Sequence, residues 1–433
     1  MTPLLIGILG CVALLCLLVC SMPVAIVMGL VGVAGYAAVI SGKAALSMLS
    51  ADLYDTFSNY NLTVIPLFVF MGQVAFHAGI SSRLFAAANS WLSSLKGGLA
   101  MATIGACAAF GAICGSGPAT AATMAAVALP EMKKYKYDDA LASGTVAAGG
   151  GLGMLIPPSV VFIVYGILTE QSIGKLFISG VIPGLLVAVL FCLVISVQCH
   201  LNPKLAPAAA RVAWRIRFTS LLGVTETLIL FAFVMGGMFA GWFTPTEGAA
   251  IGAAGSVAIA AAGGNCSFKM LWQAAQETIR TSCMVLVIVA GATMFGHFLA
   301  VTGVPTQFAG WLAGLPVPPW TIIVMIIFFY LVAGCFIDAL ALILLTIPIF
   351  YPVITGLGYD PIWFGVIIVL VTQMGVITPP VGVNAYVVSG IDRSIPLQTV
   401  FRGSVPFLLA LFVACGLLMV FPQLATWLPQ IVR

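Results

Sequence analysis

The stretch Gly153-Met-Leu-Ile-Pro-Pro158 places two consecutive prolines inside a long apolar segment. Tandem prolines remove two backbone N–H donors and push the preceding residue out of the α region, so a helix must break at this point. The stretch Gly375-Val-Ile-Thr-Pro-Pro380 repeats the pattern in the second half of the chain. The sequence therefore predicts two broken helices, one in each half.

The composition places these helices in a membrane. Of the 433 residues, 62% are hydrophobic and 6% are charged, whereas about 25% of the residues in a soluble globular protein are charged. Apolar stretches of about 20 residues recur along the chain, which is the length that crosses a hydrocarbon core as a helix. The N-terminal stretch lacks a basic region and a cleavage site and is interpreted as a first membrane helix. An all-α integral membrane protein with no nucleic-acid partner is expected.

An internal repeat relates the two halves of the chain. Four glycines of the first half recur in the second half at offsets of 224, 224, 223 and 222 residues. The pairs are Gly72 and Gly296, Gly79 and Gly303, Gly111 and Gly334, and Gly153 and Gly375. Because the offset is nearly constant, the halves are predicted to share one architecture.

The distribution of basic residues gives the relative orientation of the halves. Arg83 and Lys96 precede the segment around Gly111, and Lys133 follows it. Both ends of this segment therefore lie in the cytoplasm under the positive-inside rule, which predicts a re-entrant hairpin. The equivalent segment around Gly334 has no Lys or Arg in its flanking stretches, so it is expected to enter from the opposite side. The repeats are predicted to be inverted.

This scheme divides the chain into two repeats, each with five transmembrane helices, one of them broken, and one hairpin. The ranges are a first repeat 1–200 (arm helix 43–60, hairpin 97–131, broken helix 140–169), a linker and arm helix 201–217, and a second repeat 218–433 (arm helix 265–280, hairpin 320–353, broken helix 361–392). The arms are too short to span and are interpreted as interfacial helices. Both termini fall on the periplasmic side of the bacterial inner membrane, together with Lys43, Lys175 and Arg433.

Broken helices in inverted repeats indicate a transporter whose sites lie at the breaks, where free carbonyls coordinate a cation such as Na⁺ and free N–H groups attract an anion. Two cation sites of similar construction are expected. The first comprises Gly111, Cys114, Ser116, Gly153, Ile156 and Pro158, and the second comprises Gly334, Ile337, Asp338, Gly375, Thr378 and Val381. An anionic substrate would be held by hydroxyl or amide groups, for which the candidates are Ser116, Thr120, Ser159, Asn384 and Ser389.

Each candidate also has a structural interpretation. Glycines and prolines can kink membrane helices for packing alone. Asp338 can cap the helix that begins at Ala339, although an acidic group at membrane depth is by default a functional hypothesis. His77 and His297 lack a metal constellation and are interpreted as buried imidazoles that other side chains satisfy.

The motifs resemble one known family, the large membrane subunit of tripartite ATP-independent periplasmic (TRAP) transporters. The resemblance covers essentially the whole chain. It is carried by Gly115-Ser-Gly-Pro-Ala-Thr-Ala-Ala122, Met132-Lys-Lys-Tyr135 with Tyr137-Asp138, Gly153-Met-Leu-Ile-Pro-Pro-Ser159, Gly334-Cys-Phe-Ile-Asp338 and Gly375-Val-Ile-Thr-Pro-Pro-Val-Gly-Val-Asn384.

The resemblance implies an elevator-type secondary transporter, with Na⁺ as the coupling ion and no organic cofactor. It also implies two partners, a small four-helix membrane subunit and a periplasmic substrate-binding protein, and substrates such as C4-dicarboxylates or sialic acids. The sodium sites of the family fall at the hairpin tips and breaks named above. Cys114 departs from the family, whose members often carry Ser there, so the first site is expected to be weaker or to use carbonyls only.

Two other functions compete with this one. A stand-alone ion-coupled anion transporter would have the same inverted repeats but would need no partner. A membrane-embedded enzyme would need a catalytic cluster, and the sequence contains no HExxH motif and no Gly-x-Ser-x-Gly elbow. The chain is therefore not expected to be an enzyme.

Overall fold

The computed structural model describes residues 2–20, 22–207, 213–314 and 316–431, and these residues form α-helices, one 3₁₀ turn and connecting loops, without a β-strand. Arg211 in the predicted linker and Arg433 at the C-terminus lie outside the described residues. The predicted fold class, an all-α membrane protein with two inverted repeats that each contain a hairpin and a broken helix, is confirmed.

The first repeat contains eleven helices in the described residues. They are α1 (Pro3–Val19), α2 (Val24–Val39), α3 (Gly42–Ser58), α4 (Val64–His77, after the 3₁₀ turn Tyr60–Thr63), α5 (Ile80–Leu92), α6 (Gly98–Cys114), α7 (Gly117–Lys134), α8 (Asp139–Gly150), α9 (Leu152–Leu155), α10 (Val160–Leu168) and α11 (Ile173–Leu201). Here α6 and α7 form the hairpin, and α8 to α10 form the broken helix.

The second repeat follows the same order in its described residues. Its helices are α12 (Trp214–Leu222), α13 (Thr225–Phe239), α14 (Pro245–Ala262), α15 (Phe268–Thr302), α16 (Val304–Ala313), α17 (Pro319–Gly334), α18 (Ala339–Gly356), α19 (Pro361–Gly375), α20 (Val383–Ile391), α21 (Leu397–Val420) and α22 (Gln423–Ile431). The hairpin is α17 and α18, and the broken helix is α19 and α20.

One pair of repeated glycines occupies the same kind of position in both repeats, at the junction between two helices. Gly79 and Gly303 adopt left-handed backbone conformations with φ values of 74° and 69°. Each one ends a long helix and begins the next, α5 in the first repeat and α16 in the second. A left-handed residue at a helix end favours glycine, which explains why these positions repeat in the sequence.

Three features of the helix pattern differ from the sequence prediction. The helices α5, α16 and α22 were not anticipated as separate elements. In place of the predicted linker helix 201–217, α11 continues to Leu201 and a separate helix, α12, begins at Trp214. Residues 265–280, predicted as a separate arm, lie mostly in α15, which runs for 35 residues from Phe268 to Thr302. Its first 23 positions contain no glycine or proline that would end the helix.

Six helical segments of the described chain are long and apolar enough to cross a membrane, or seven if α12 and α13, which meet at 52°, count as one span. The broken helix α8 to α10 is one of the six. Several other apolar helices are shorter, among them α1 with 17 residues and α2 with 16. The prediction of five spans in each repeat therefore depends on counting these shorter helices.

The helices pack in two groups. The frame helices (α1–α4 and α13–α15) contact one another most extensively through α15, which packs against α2, α3 and α4. The inner helices (α6–α11 and α17–α21) contain both hairpins and both broken helices, and they pack across the repeats, with α8 against α21 and α7 against α20.

Two histidine–carboxylate pairs join the repeats within the frame. His77 at the end of α4 lies 3.1 Å from Glu277 of α15, and His297 of α15 lies 3.0 Å from the buried Asp52 of α3. Each pair connects α15 of the second repeat to a helix of the first repeat, α4 in one case and α3 in the other. Both imidazoles have a carboxylate partner, as predicted, but only His77 is largely buried, because the His297 side chain is 52% exposed.

The closest crossing of inner helices depends on two glycines. A Cβ atom on Gly144 of α8 would lie 2.2 Å from the carbonyl carbon of Gly403 in α21, and a Cβ atom on Gly403 would lie 1.8 Å from the carbonyl oxygen of Ala140. The two backbones therefore touch directly. Small residues at helix crossings permit such close approach in membranes.

Replacing Gly403 with alanine is expected to lower the thermal stability of the protein in detergent. The added methyl group collides with backbone atoms that cannot rotate away, and overpacking of this kind costs about 1–3 kcal/mol. The matched control is Gly416→Ala on the same helix, where nothing lies within 4 Å of the new Cβ atom. Equal melting temperatures for the two variants would contradict the crossing described here.

Candidate functional site

The first hairpin tip is the two-residue connection between α6 and α7. Gly115 closes α6 in a left-handed conformation, with φ at 66°, and its N–H donates to the carbonyl of Gly111. Ser116 then caps α7 in an extended conformation, and its carbonyl accepts hydrogen bonds from both the N–H and the hydroxyl of Thr120. The tip is buried, with Cys114 and Thr120 inside the protein.

The first break lies directly against this tip. A Cβ atom on Gly111 would lie 2.7 Å from the Cα atom of Gly153, so the two backbones are in contact. The N–H of Val160, the first residue after the break, donates to the carbonyl of Gly115 at 3.2 Å. The structure therefore brings together the two segments of the chain that carry the first predicted cation site.

The second hairpin tip and break repeat this arrangement. A Cβ atom on Gly375 would lie 2.5 Å from the carbonyl carbon of Gly334. The N–H of Val381 donates to the carbonyl of Cys335 at 3.2 Å, just as Val160 binds the first tip. This tip is longer, because four residues separate α17 from α18.

At the breaks, several backbone carbonyl oxygens accept no hydrogen bond from the described part of the chain. Among the described residues, no backbone or side-chain donor binds the carbonyl oxygens of Ile156, Pro157 and Pro158. The same holds for the carbonyls of Thr378 and Pro379 in the second break. Both Pro–Pro peptide bonds are cis. Carbonyl oxygens are the ligands that discontinuous membrane helices offer to Na⁺, so the residues present fit a monovalent hard cation.

Asp338 occupies the N-cap position of α18, and its Oδ2 accepts a hydrogen bond from the N–H of Leu340 at 3.1 Å. The capping interpretation of this residue is therefore correct. A carboxylate keeps further lone pairs after one such bond, so capping leaves Asp338 able to contribute a charge to the second tip.

The predicted substrate-binding side chains do not form one cluster. Ser159 is fully buried and donates to the carbonyl of Met154, which stabilises the first break. Asn384 is also fully buried, and its amide nitrogen donates to the carbonyl of Ala147 in α8 at 3.0 Å. Ser389 lies at the far end of α20, where its hydroxyl binds the carbonyl of Ile395, and the structure does not bring it to either break.

One polar residue at the centre of the inner helices was not predicted from the sequence. Gln373 of α19 is completely buried, two residues before Gly375. Its side chain packs against Gly151, at the end of α8. A buried amide inside a transmembrane segment was the available signal, because polar groups at that depth are costly and are usually functional.

One ionic contact ties the two repeats together at the ends of the inner helices. Lys133, in the last turn of α7, binds both Asp392 and Ser394 in the loop after α20. The hydrogen bond from Lys133 holds the pKa of the Asp392 carboxyl below its ordinary value, and a hydrogen bond from Ser394 acts in the same direction. The contact is therefore present at neutral pH and is lost only when the pH falls through this lowered pKa.

A cavity of about 400 Å³ separates frame helix α15 and the adjoining α16 from inner helices α10 and α18. Its wall includes small residues and prolines on facing helices. Among them are Gly296 and Ala300 on α15, Pro305 on α16, and Pro348 and Pro352 on α18. The two groups of helices are thus incompletely packed against each other at this place.

Residues 11–424 match the DctM component of the tripartite ATP-independent periplasmic transporters. The chain is 36% identical over 388 residues to the C4-dicarboxylate TRAP transporter large permease protein DctM of Pseudomonas aeruginosa, which covers 88% of this chain and 89% of the relative. It is 33% identical over 395 residues to the sialic acid TRAP transporter large permease protein SiaM of Vibrio cholerae, covering 91% and 92%.

Solved structures with the same fold have much lower sequence identity. The YdaH transporter of Alcanivorax borkumensis superposes with a TM-score of 0.61 at 16% identity and covers 98% of both chains. MtrF of Neisseria gonorrhoeae superposes with a TM-score of 0.53 at 14% identity, covering 86% of this chain and 83% of that one. At these identities, the likeness concerns the fold alone.

Replacing Gly111 with alanine is expected to reduce transport by about tenfold or more. The new methyl group would push the first tip away from Gly153, and the overpacking cost is about 1–3 kcal/mol. Initial rates of uptake, normalised to the amount of protein in the membrane, give the measurement. Gly105→Ala on the same helix is the control, since its nearest neighbour is 3.9 Å away. Comparable loss in both variants would argue against a special role for the tip contact.

Two substitutions in the second tip and break test the cation site without removing backbone ligands. Asp338→Asn keeps an N-cap side chain but removes the charge, and Thr378→Val removes a hydroxyl that donates to the carbonyl of Met374. Each is expected to raise the Na⁺ concentration needed for half-maximal uptake several-fold while expression stays normal. Thr355→Val is the control for the threonine, because the Thr355 hydroxyl makes the same type of bond on an exposed turn. Unchanged Na⁺ dependence in both variants would remove these side chains from the site.

Proposed function

The chain belongs to the DctM component family of the tripartite ATP-independent periplasmic transporters, and on that premise we propose that it imports a small organic acid on a sodium gradient. The observation that carries the proposal is the pair of tip-to-break contacts, Gly111 with Gly153 and Gly334 with Gly375, beside carbonyl oxygens that no donor uses. Two Na⁺ ions would each bind at one contact, coordinated mostly by backbone oxygens.

The relatives and the chemistry of the inner helices support a small organic acid, such as a carboxylate, as the substrate. Two of the relatives are described as carrying C4-dicarboxylates and sialic acid, and both are carboxylates. No Lys or Arg lies in either tip or break of the described chain. A carboxylate would therefore be held by bound Na⁺, by the N-terminal N–H groups of α7 and α18, and by the hydroxyls of Ser116 and Thr120.

Transport would use an elevator motion of the inner helices against the frame. Both candidate cation sites lie within the inner helices, so the sites and the substrate would move together. The 400 Å³ cavity between α15 and α18 leaves space at the boundary between the two groups. The energy is adequate, because each elementary charge that crosses 100 mV releases about 2.3 kcal/mol.

The proposed assembly is that of the family. The chain would lie in the bacterial inner membrane with both termini in the periplasm, together with a small membrane subunit. A periplasmic binding protein would deliver the substrate. The exposed aromatic and aliphatic residues of α3, such as Leu46, Tyr54 and Phe57, provide an apolar surface on the frame for lipid or for the small subunit.

Uptake by proteoliposomes that contain this chain, its small subunit and its binding protein is the test. Radiolabelled C4-dicarboxylate and sialic acid are supplied in separate experiments, with an inward Na⁺ gradient or with choline in its place. We expect uptake of one of these acids only when Na⁺ is present. Uptake that follows a proton gradient and ignores Na⁺ would refute sodium coupling. Full activity without the binding protein would show a stand-alone transporter.

A further inference from the structure

Gln373 has an unusual environment for a glutamine. Its side chain is completely buried in α19, within the inner helices. Neither its amide nitrogen nor its amide oxygen has a hydrogen-bond partner among the described residues. A buried polar group of this kind destabilises the protein, and an apolar side chain of the same size would not. The residue therefore requires an explanation other than stability.

The contact that Gln373 makes lies on the symmetry axis of the repeats. A Cβ atom on Gly151 would lie 2.4 Å from the Cγ atom of Gln373 and 2.6 Å from its Nε2. Gly151 and Gln373 are 222 residues apart, which is also the offset between Gly153 and Gly375. They are thus equivalent positions of the two repeats. Equivalent positions that touch each other must lie beside the two-fold axis that relates the repeats.

This axis passes between the two candidate cation sites. Gly151 is two residues from Gly153, and Gln373 is two residues from Gly375. Since consecutive Cα atoms are about 3.8 Å apart, each partner lies within about 7.6 Å of the break glycine on its own helix. The amide of Gln373 is therefore a polar group positioned between the sites. The Asn384 amide oxygen is also buried without a partner, and its amide nitrogen ties α20 to α8.

We propose that Gln373 is a positioning residue that couples the two candidate cation sites, an inference that rests on the proposed sodium-driven function. Its amide dipole has no fixed partner, so it can turn its oxygen toward a cation at either break. A cation at one break orders that break and fixes Gln373 against Gly151. The second break is then already ordered when the second cation arrives, which gives positive coupling between the sites.

The test measures the Na⁺ dependence of uptake by the complete transporter in proteoliposomes. In Gln373→Met, which has similar volume but no amide, we expect the Hill coefficient for Na⁺ to fall toward 1. The half-saturating Na⁺ concentration should rise several-fold, and the melting temperature should be unchanged or higher. In Gln373→Glu, a negative charge between the sites should lower the half-saturating concentration several-fold. A purely structural role of Gln373 would instead alter stability and leave the Na⁺ dependence intact.

The matched control is Gln198→Met. Gln198 lies near the end of α11, away from the breaks, and its amide nitrogen also lacks a partner. Its Na⁺ dependence should equal that of the unmodified transporter. If Gln373→Met retains the unmodified Hill coefficient, or if Gln373→Glu fails to change the half-saturating concentration, the coupling role is wrong. Uptake by the unmodified transporter that ignores Na⁺ would overturn the proposed function as well, so the two failures are distinguishable.

Discussion

Two direct backbone contacts organise the inner part of this protein, Gly111 against Gly153 and Gly334 against Gly375. In lipid, every backbone polar group must be satisfied within the protein, so a helix can break only where other protein covers the break. The hairpin tips provide this cover. Each tip also accepts a hydrogen bond from a backbone N–H of its break region, Gly115 from Val160 in one repeat and Cys335 from Val381 in the other. A tip and its break are therefore one structural unit, and neither would be stable in a membrane alone.

The two units are related by symmetry but are not identical. The first tip has two residues and places Thr120 and Ser116 against Gly153, whereas the second tip has four and contains a carboxylate, Asp338. Such differences leave the shared geometry of the backbone intact. Every residue type supplies a backbone carbonyl. A site built from carbonyl oxygens can therefore keep the same backbone geometry in both repeats while the side chains differ.

The sequence alone was sufficient for the fold class, since tandem prolines and glycine spacing act through local backbone chemistry. It also paired Gly111 with Gly153, because the hairpin tips and broken helices of inverted-repeat transporters form their sites together. It could not place Ser389, whose local bond to Ile395 depends on the end of α20. The role of Gln373 could not be predicted from the sequence either, because its contact with Gly151 forms only when the two repeats pack together. The predicted separation of residues 265–280 from the next span failed because polar residues alone do not end a helix.

The unbroken course of α15 makes the two arms mechanically unequal. A helix of 35 residues is about 52 Å long, and it can bend only at the expense of its own hydrogen bonds. The first arm, α3, is joined to α4 through Asn59 and a 3₁₀ turn, which gives it a joint. The arm of the first repeat is thus connected through a turn, whereas the corresponding segment of the second repeat is part of one rigid helix. The two repeats therefore differ in the stiffness of their arm segments, although their helices follow nearly the same order.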